Sequence, residues 1–179
     1  MPMNVVIDAS SLIVLARVEA LGTLHQIYNT TALPPAVFEE VVVAGEQLGK
    51  NDAWVVKAAM DKGWVVPITL APEEEQIVKS LRQQYRALGL GECQALACAE
   101  KRHWLLLVEE RKARVVARAR GIRYSIIQVL PLQGYLDGKL PEGICLDLMD
   151  KIAGEMGADL AVLHALKAAI SALAKERKR

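Results

Sequence analysis

Residues 4–12 read NVVIDASSL, and how this stretch is understood decides the fold. The β-branched run Val5-Val6-Ile7 leads straight into Asp8. Small and hydroxyl residues follow, and then a new apolar segment opens. A strand that ends on a carboxylate has two readings. Asp8 caps the helix that follows, or it stands at the C-terminal end of a buried strand as part of a site. The remainder of the chain has to separate them.

At 179 residues the chain fits one domain with a small appendage. Hydrophobic residues make up 53%, enough to fill a core, while aromatics are only 4%, so Val, Leu, Ile and Ala must do the packing. No apolar run reaches the roughly 18 residues of a membrane span. The start, MPMNVVID, lacks a basic region and a cleavage pattern, so neither a signal peptide nor a membrane location is expected. Cys93, Cys98 and Cys145 lack metal-ligand spacing and fit buried thiols of a reducing cytoplasm. The net charge of +1 does not advertise a nucleic-acid partner, but its distribution does: residues 111–123 carry six basic residues and no acid, and the tail ends KERKR.

Strand-like runs occur at 4–8, around 31–34, at 64–68, at 104–108 and around 122–127. Helix-like segments separate them. The segment SLIVLARVEALGTLHQIY is expected to break near Gly22. PPAVFEEVVVAG opens with Pro35 at a first helical position and closes on Gly45. NDAWVVKAAMDKG takes Asn51 or Asp52 as its cap and ends at Gly63. APEEEQIVKSLRQQYR, GECQALACAEKR and ERKARVVARARG follow, and in the last of these Val115 and Val116 require one side to be core. Strands alternating with helices imply an α/β, three-layer α/β/α fold with a central parallel sheet of about five strands. After Pro141 only helices are expected, at 144–156 and 158–176, hinged near Gly157. In the second, Leu160, Leu163, Leu166, Ile170 and Leu173 form a narrow stripe suited to packing on the domain or on a second copy.

Ligands of open parallel sheets bind beyond the C-terminal strand ends. Asp8 ends the first strand, Glu109 and Glu110 follow WLLLV, Glu92 opens a helix after LGLG, and Glu39 and Glu40 lie one turn into the helix after the second strand. Each acid alone reads equally as a cap, a first-turn residue suited to the helix dipole, or a solvated face. Together they occupy equivalent ends of successive elements. Clustered carboxylates repel, and oxygen-only ligands that gather this way suit Mg2+ or Mn2+ rather than zinc. His25, His103 and His164 follow no ligand spacing, and no catalytic triad, Walker loop or dinucleotide glycine fingerprint is present.

These residues resemble the PIN-domain family, the fold of VapC-type toxin ribonucleases, over residues 4–141. VVIDASSLIVLA is similar to the family's opening strand and aspartate, PPAVFEEVV to its second acidic motif with Glu40 as the best match, LGLGECQALACA to its third, and WLLLVEERKARVVARARGI to its fourth. The fourth motif usually presents aspartate; here both positions are glutamate, with Glu110 the preferred match and Glu109 the alternative. The resemblance implies a nuclease domain at 1–141, with a helical C-terminal extension and basic tail at 142–179 outside it. It implies an endoribonuclease dependent on Mg2+ or Mn2+, with Asp8, Glu40, Glu92 and Glu110 catalytic. Asp8, Glu92, Glu110 and Glu109 would be the metal ligands, with Ser10 behind them. Arg111, Lys112, Arg114 and Arg118 would bind the RNA backbone. A toxin of this kind implies a small antitoxin partner and a homodimer. The Glu-Glu departure and the extra helices favour an alternative, a catalytically weak or inactive PIN-fold interaction protein; a nuclease acting on structured DNA is a third option.

Overall fold

The β-branched and leucine-rich runs pair side by side because each is apolar on both faces and needs cover on both. The computed structural model describes residues 4–157 and 160–177. In chain order it contains β1 (Val5–Ile7), α1 (Ala9–Arg17), α2 (Leu21–Tyr28), β2 (Thr31–Leu33) and α3 (Pro35–Phe38). A π turn, Glu39–Val43, joins α3 to α4 (Ala44–Gln47); α5 (Asn51–Asp61), β3 (Val65–Pro67), α6 (Pro72–Gln84), α7 (Leu90–Arg102) and β4 (Leu105–Leu107) follow. The chain continues with α8 (Arg111–Ala119), β5 (Tyr124–Ser125), a 3-10 turn at Ile127–Val129, α9 (Leu130–Leu136), α10 (Glu142–Met156) and α11 (Leu160–Arg177).

The five strands are all parallel, in the order β3-β2-β1-β4-β5. Alternate residues of each strand feed opposite layers. Val5 and Ile7 of β1 and Leu33 of β2 join one cluster, beneath α1, α2, α5 and the C-terminal helices. Val6, Ala32 and Leu106 join the other, beneath α6, α7 and α8. This is the expected three-layer arrangement. Pro67 sits on edge strand β3, where its missing N–H costs no ladder bond. No helix among the described residues is long and apolar enough to cross a membrane.

Several boundaries differ from the sequence expectation. The first helical segment breaks at Glu19, which takes φ 57°, and Gly22 lies inside α2. The Ala20 N–H donates to the Leu15 carbonyl and the Glu19 N–H to that of Ala16, a Schellman-type closure with glutamate where glycine is usual. The helix from Pro35 runs past Gly45, which serves as a close-packing point and not as a terminator: a Cβ there would lie 2.8 Å from that of Ala53 on α5. Lys50 occupies the cap position of α5 and makes no side-chain cap bond, and Asn51 and Asp52 fall in its first turn. The fifth strand shrinks to two residues, and α9, with no clear periodic signal, fills the gap before Pro141. On α8 the core face is Ala113, Val116 and Ala117, while Val115 is 62% exposed.

The C-terminal helices contribute to the main core. Cys145, Leu148, Met149 and Ile152 of α10 and Ile170 and Ala174 of α11 are buried in the same cluster as Val5 and Ile7. Of the expected stripe, Leu163, Leu166, Ile170 and Leu173 pack against that cluster, while Leu160 stays exposed. The Gly157 position is left-handed, φ 62°, and closes α10. The expected segments also reach into residues 1–3, 158–159 and 178–179, which lie outside the described residues.

Ile152 is fully buried against the layer that supports β1. Replacing it with alanine is expected to lower the unfolding free energy by about 2–4 kcal/mol in urea titration. An unchanged midpoint would show that α10 does not unfold with the core.

Candidate active site

The chain builds β1, β2 and β3 outward in one direction, then crosses back to place β4 on the other side of β1. The reversal leaves a crevice beyond the C-terminal ends of β1 and β4. Asp8 follows β1 and Glu110 follows β4 by a short loop, so both acids arrive at this switch point. Asp8 is 1% exposed. Its Oδ1 accepts from the Ser11 N–H at 2.8 Å, capping α1, and its Oδ2 accepts from the Glu109 N–H at 3.1 Å. Burial pushes the Asp8 carboxyl above its ordinary range, against the pull of these backbone N–H donors.

Glu40 arrives from a different direction. It lies in the π turn, whose one-residue excess re-phases the helix and lets Val41 and Val42 be buried while Glu39 and Glu40 stay exposed. The helix that carries it is tied to α7 by a contact that no sequence pattern signals. Gln94 Oε1 accepts from the Ala36 N–H at 2.7 Å at the start of α3. Close approach is possible because residue 91 is glycine: a Cβ would sit 3.1 Å from Val37 Cγ2 and 3.8 Å from Glu40 Oε2. Next along α7, Glu92 turns back so that its Oε2 accepts from the Gly89 N–H at 2.7 Å. The far end of α7 is anchored by the ion pair between Arg102 and the buried Glu74 of α6.

Asp8, Ser10, Glu40, Glu92, Glu110 and Lys112 line one cleft of about 290 Å3. The carboxyl of Glu92 is raised first by burial and also by the negative charges of Glu110, Asp8 and Glu40. Acids from three other segments therefore act on Glu92. Glu110 also caps α8 weakly, with its Oε1 3.4 Å from the Lys112 N.

Glu109, the alternative for the fourth acid, does not line this cleft. Its Oε1 accepts from the Ile127 N–H at 2.7 Å, holding the 3-10 turn, and burial raises its carboxyl despite that bond. Glu39 lies outside the cleft as well. The four basic residues separate. Lys112 faces the acids, whereas Arg111, Arg114 and Arg118 line a neighbouring groove of about 280 Å3 with Tyr124, whose hydroxyl lies 3.0 Å from Arg118 Nη2. Arg114 Nε is buried there without a hydrogen-bond partner.

As placed, no three His, Cys, Asp or Glu side chains among the described residues stand close enough to enclose an ion. The donor set is nonetheless all oxygen. Mg2+ commonly keeps several waters and needs only one or two carboxylates. Asp8 retains lone pairs beyond its two backbone bonds. The residues fit a hard cation held partly through water, chiefly by Asp8, Glu92 and Glu110.

A family model described as a PIN domain matches residues 4–132. No curated protein matches the chain.

The crowding of charge makes a pH-dependent prediction. A carboxyl raised on folding costs stability above its folded pKa and costs nothing below the unfolded value near 4.5. Glu92→Gln is therefore expected to raise Tm by about 2 °C at neutral pH without added metal, and the gain is expected to vanish as the pH falls towards 4.5. A lowered Tm at pH 7 would show that Glu92 is not under repulsion.

Proposed function

The chain belongs to the PIN-domain family, a fold found generally in nucleases, and on that premise we propose that it is an endoribonuclease dependent on Mg2+ or Mn2+. The observation that supports this reading is the convergence of Asp8, Glu40, Glu92 and Glu110 on one cleft at the sheet's switch point, with Lys112 on its wall. When bound, the ion would supply a water of lowered pKa and polarise the scissile phosphate. The chain's own residues do the rest. Asp8, fixed by two backbone N–H groups, orients the ligand set with little entropy to lose. Ser10, exposed in the first turn of α1, positions water beside Asp8. Lys112 meets the phosphate at the acids, and Arg111, Arg114 and Arg118 hold the flanking RNA backbone in the adjoining groove.

We further propose that residues 1–141 carry the nuclease and that residues 142–179 are an extension completing its core. The protein acts in the cytoplasm as the toxin of a toxin–antitoxin pair, as a homodimer held in check by a small antitoxin. A second reading, a PIN-fold interaction protein with little catalysis, draws on two observations: Glu109 is committed to Ile127, and no three acids among the described residues enclose an ion as placed.

Incubating labelled single-stranded RNA with the protein and Mn2+ tests the choice. Cleavage is expected, with EDTA stopping it. Asp8→Asn and Glu92→Gln are each expected to lower the rate about a hundredfold or more while the circular dichroism stays native. Glu110→Gln is expected to cost far more than Glu109→Gln. No cleavage of any of several RNAs, together with no Mn2+ uptake on titration, would leave the interaction protein as the reading.

A further inference from the structure

A second concavity, of about 470 Å3, adjoins the acid cleft and shares Ala87 and Lys112 with it. Its chemistry is different. The floor is apolar: the half-buried Tyr85 and the edge of Leu88 lie on one side, and Val115 and Val116 of α8 on the other. Val115 stands 62% exposed on a helix whose other valine is core, an apolar surface placed where the fold does not need it. The rim is cationic. Arg86, Arg111 and Lys112 are all exposed, and among the described residues no ion pair engages them.

An occupant of this cleft must present a flat apolar body and a nearby anion, and must continue into the acid cleft past Ala87. A nucleotide has that form: the base has apolar faces, and its phosphates lie within reach of the rim. The volume falls within the range of small-molecule sites, roughly 300–1,000 Å3. We propose that this cleft receives the unstacked base of a nucleotide flanking the bond to be cut. A paired and stacked base has no free face to offer. The proposal rests on the nuclease reading for its substrate, yet it concerns residues outside the acid set. It also places base recognition, in a chain poor in aromatics, on one ring, Tyr85, and one exposed valine.

The test measures binding apart from cleavage. Fluorescein-labelled oligouridine is titrated with the full chain in EDTA, beside the same phosphate chain carrying abasic sugars. The abasic chain is expected to bind about tenfold more weakly. Val115→Ser is expected to weaken binding of the intact strand about threefold and to leave the abasic strand unchanged. A 5-iodouracil-substituted strand should crosslink on irradiation to the peptide containing Tyr85, and Tyr85→Leu should remove that product. Equal binding of the two strands overturns the proposal, as does a Val115→Ser loss shared by both or the absence of any binding. Any of these results would remove the base as the occupant and leave an apolar side chain of a protein partner as the alternative to test. Cleavage with Mn2+ is scored separately. Base-dependent binding without cleavage would sink the nuclease reading and keep the base site; cleavage with base-indifferent binding would do the reverse.

Discussion

The rest of the site depends on one buried carboxylate bridging two backbone segments. Asp8 accepts from Ser11 at the start of α1 and from Glu109 at the exit of β4. The two segments lie on either side of the point where the sheet reverses its winding. With β1 paired to β4 from Val5↔Leu105 through Ile7↔Leu107, the side chain closes the junction that the ladder begins. If these N–H groups were left unpaired at this depth, each would cost about 1–3 kcal/mol. An acid here therefore satisfies the backbone first, and its spare lone pairs are what remain for chemistry.

The same arrangement stores repulsion. Asp8 is disfavoured as an anion by burial, and Glu92 is disfavoured by burial and by three neighbouring acids. A core-packing argument alone would place no such group there. The surrounding elements hold it in place through contacts of other kinds: Gln94 to the start of α3, Gly91 against Val37, and Arg102 to Glu74 at the far end of α7. Stability elsewhere holds the charged crevice in place.

The layer order, the parallel sheet and the helix positions were legible because strand-length apolar runs alternate with amphipathic segments, and that periodicity is local. The breaks were less so. Glu19 takes a left-handed conformation without being glycine, and Gly45 sits inside a helix where it lets Ala53 approach closely. The first is closed by local backbone bonds to Leu15 and Ala16, and the second is a close contact with the next helix. Val115 misled in another way: hydrophobicity marks an apolar side chain, but the phase of α8 against β4 and β5 decides whether it is covered.

Sequence alone determined which residue types could form the site, since strand-then-acid is written into VVID and LLLVEE. It could not divide roles between adjacent glutamates. Glu109 and Glu110 have the same chemistry, and side chains one residue apart diverge in direction, so only the tertiary structure sends one to Ile127 and the other to the cleft. The same holds for the basic helix. Its charge was visible as a run, but its 3.6-residue turn and its seat on the sheet place Lys112 beside the acids and Arg111, Arg114 and Arg118 along the next groove.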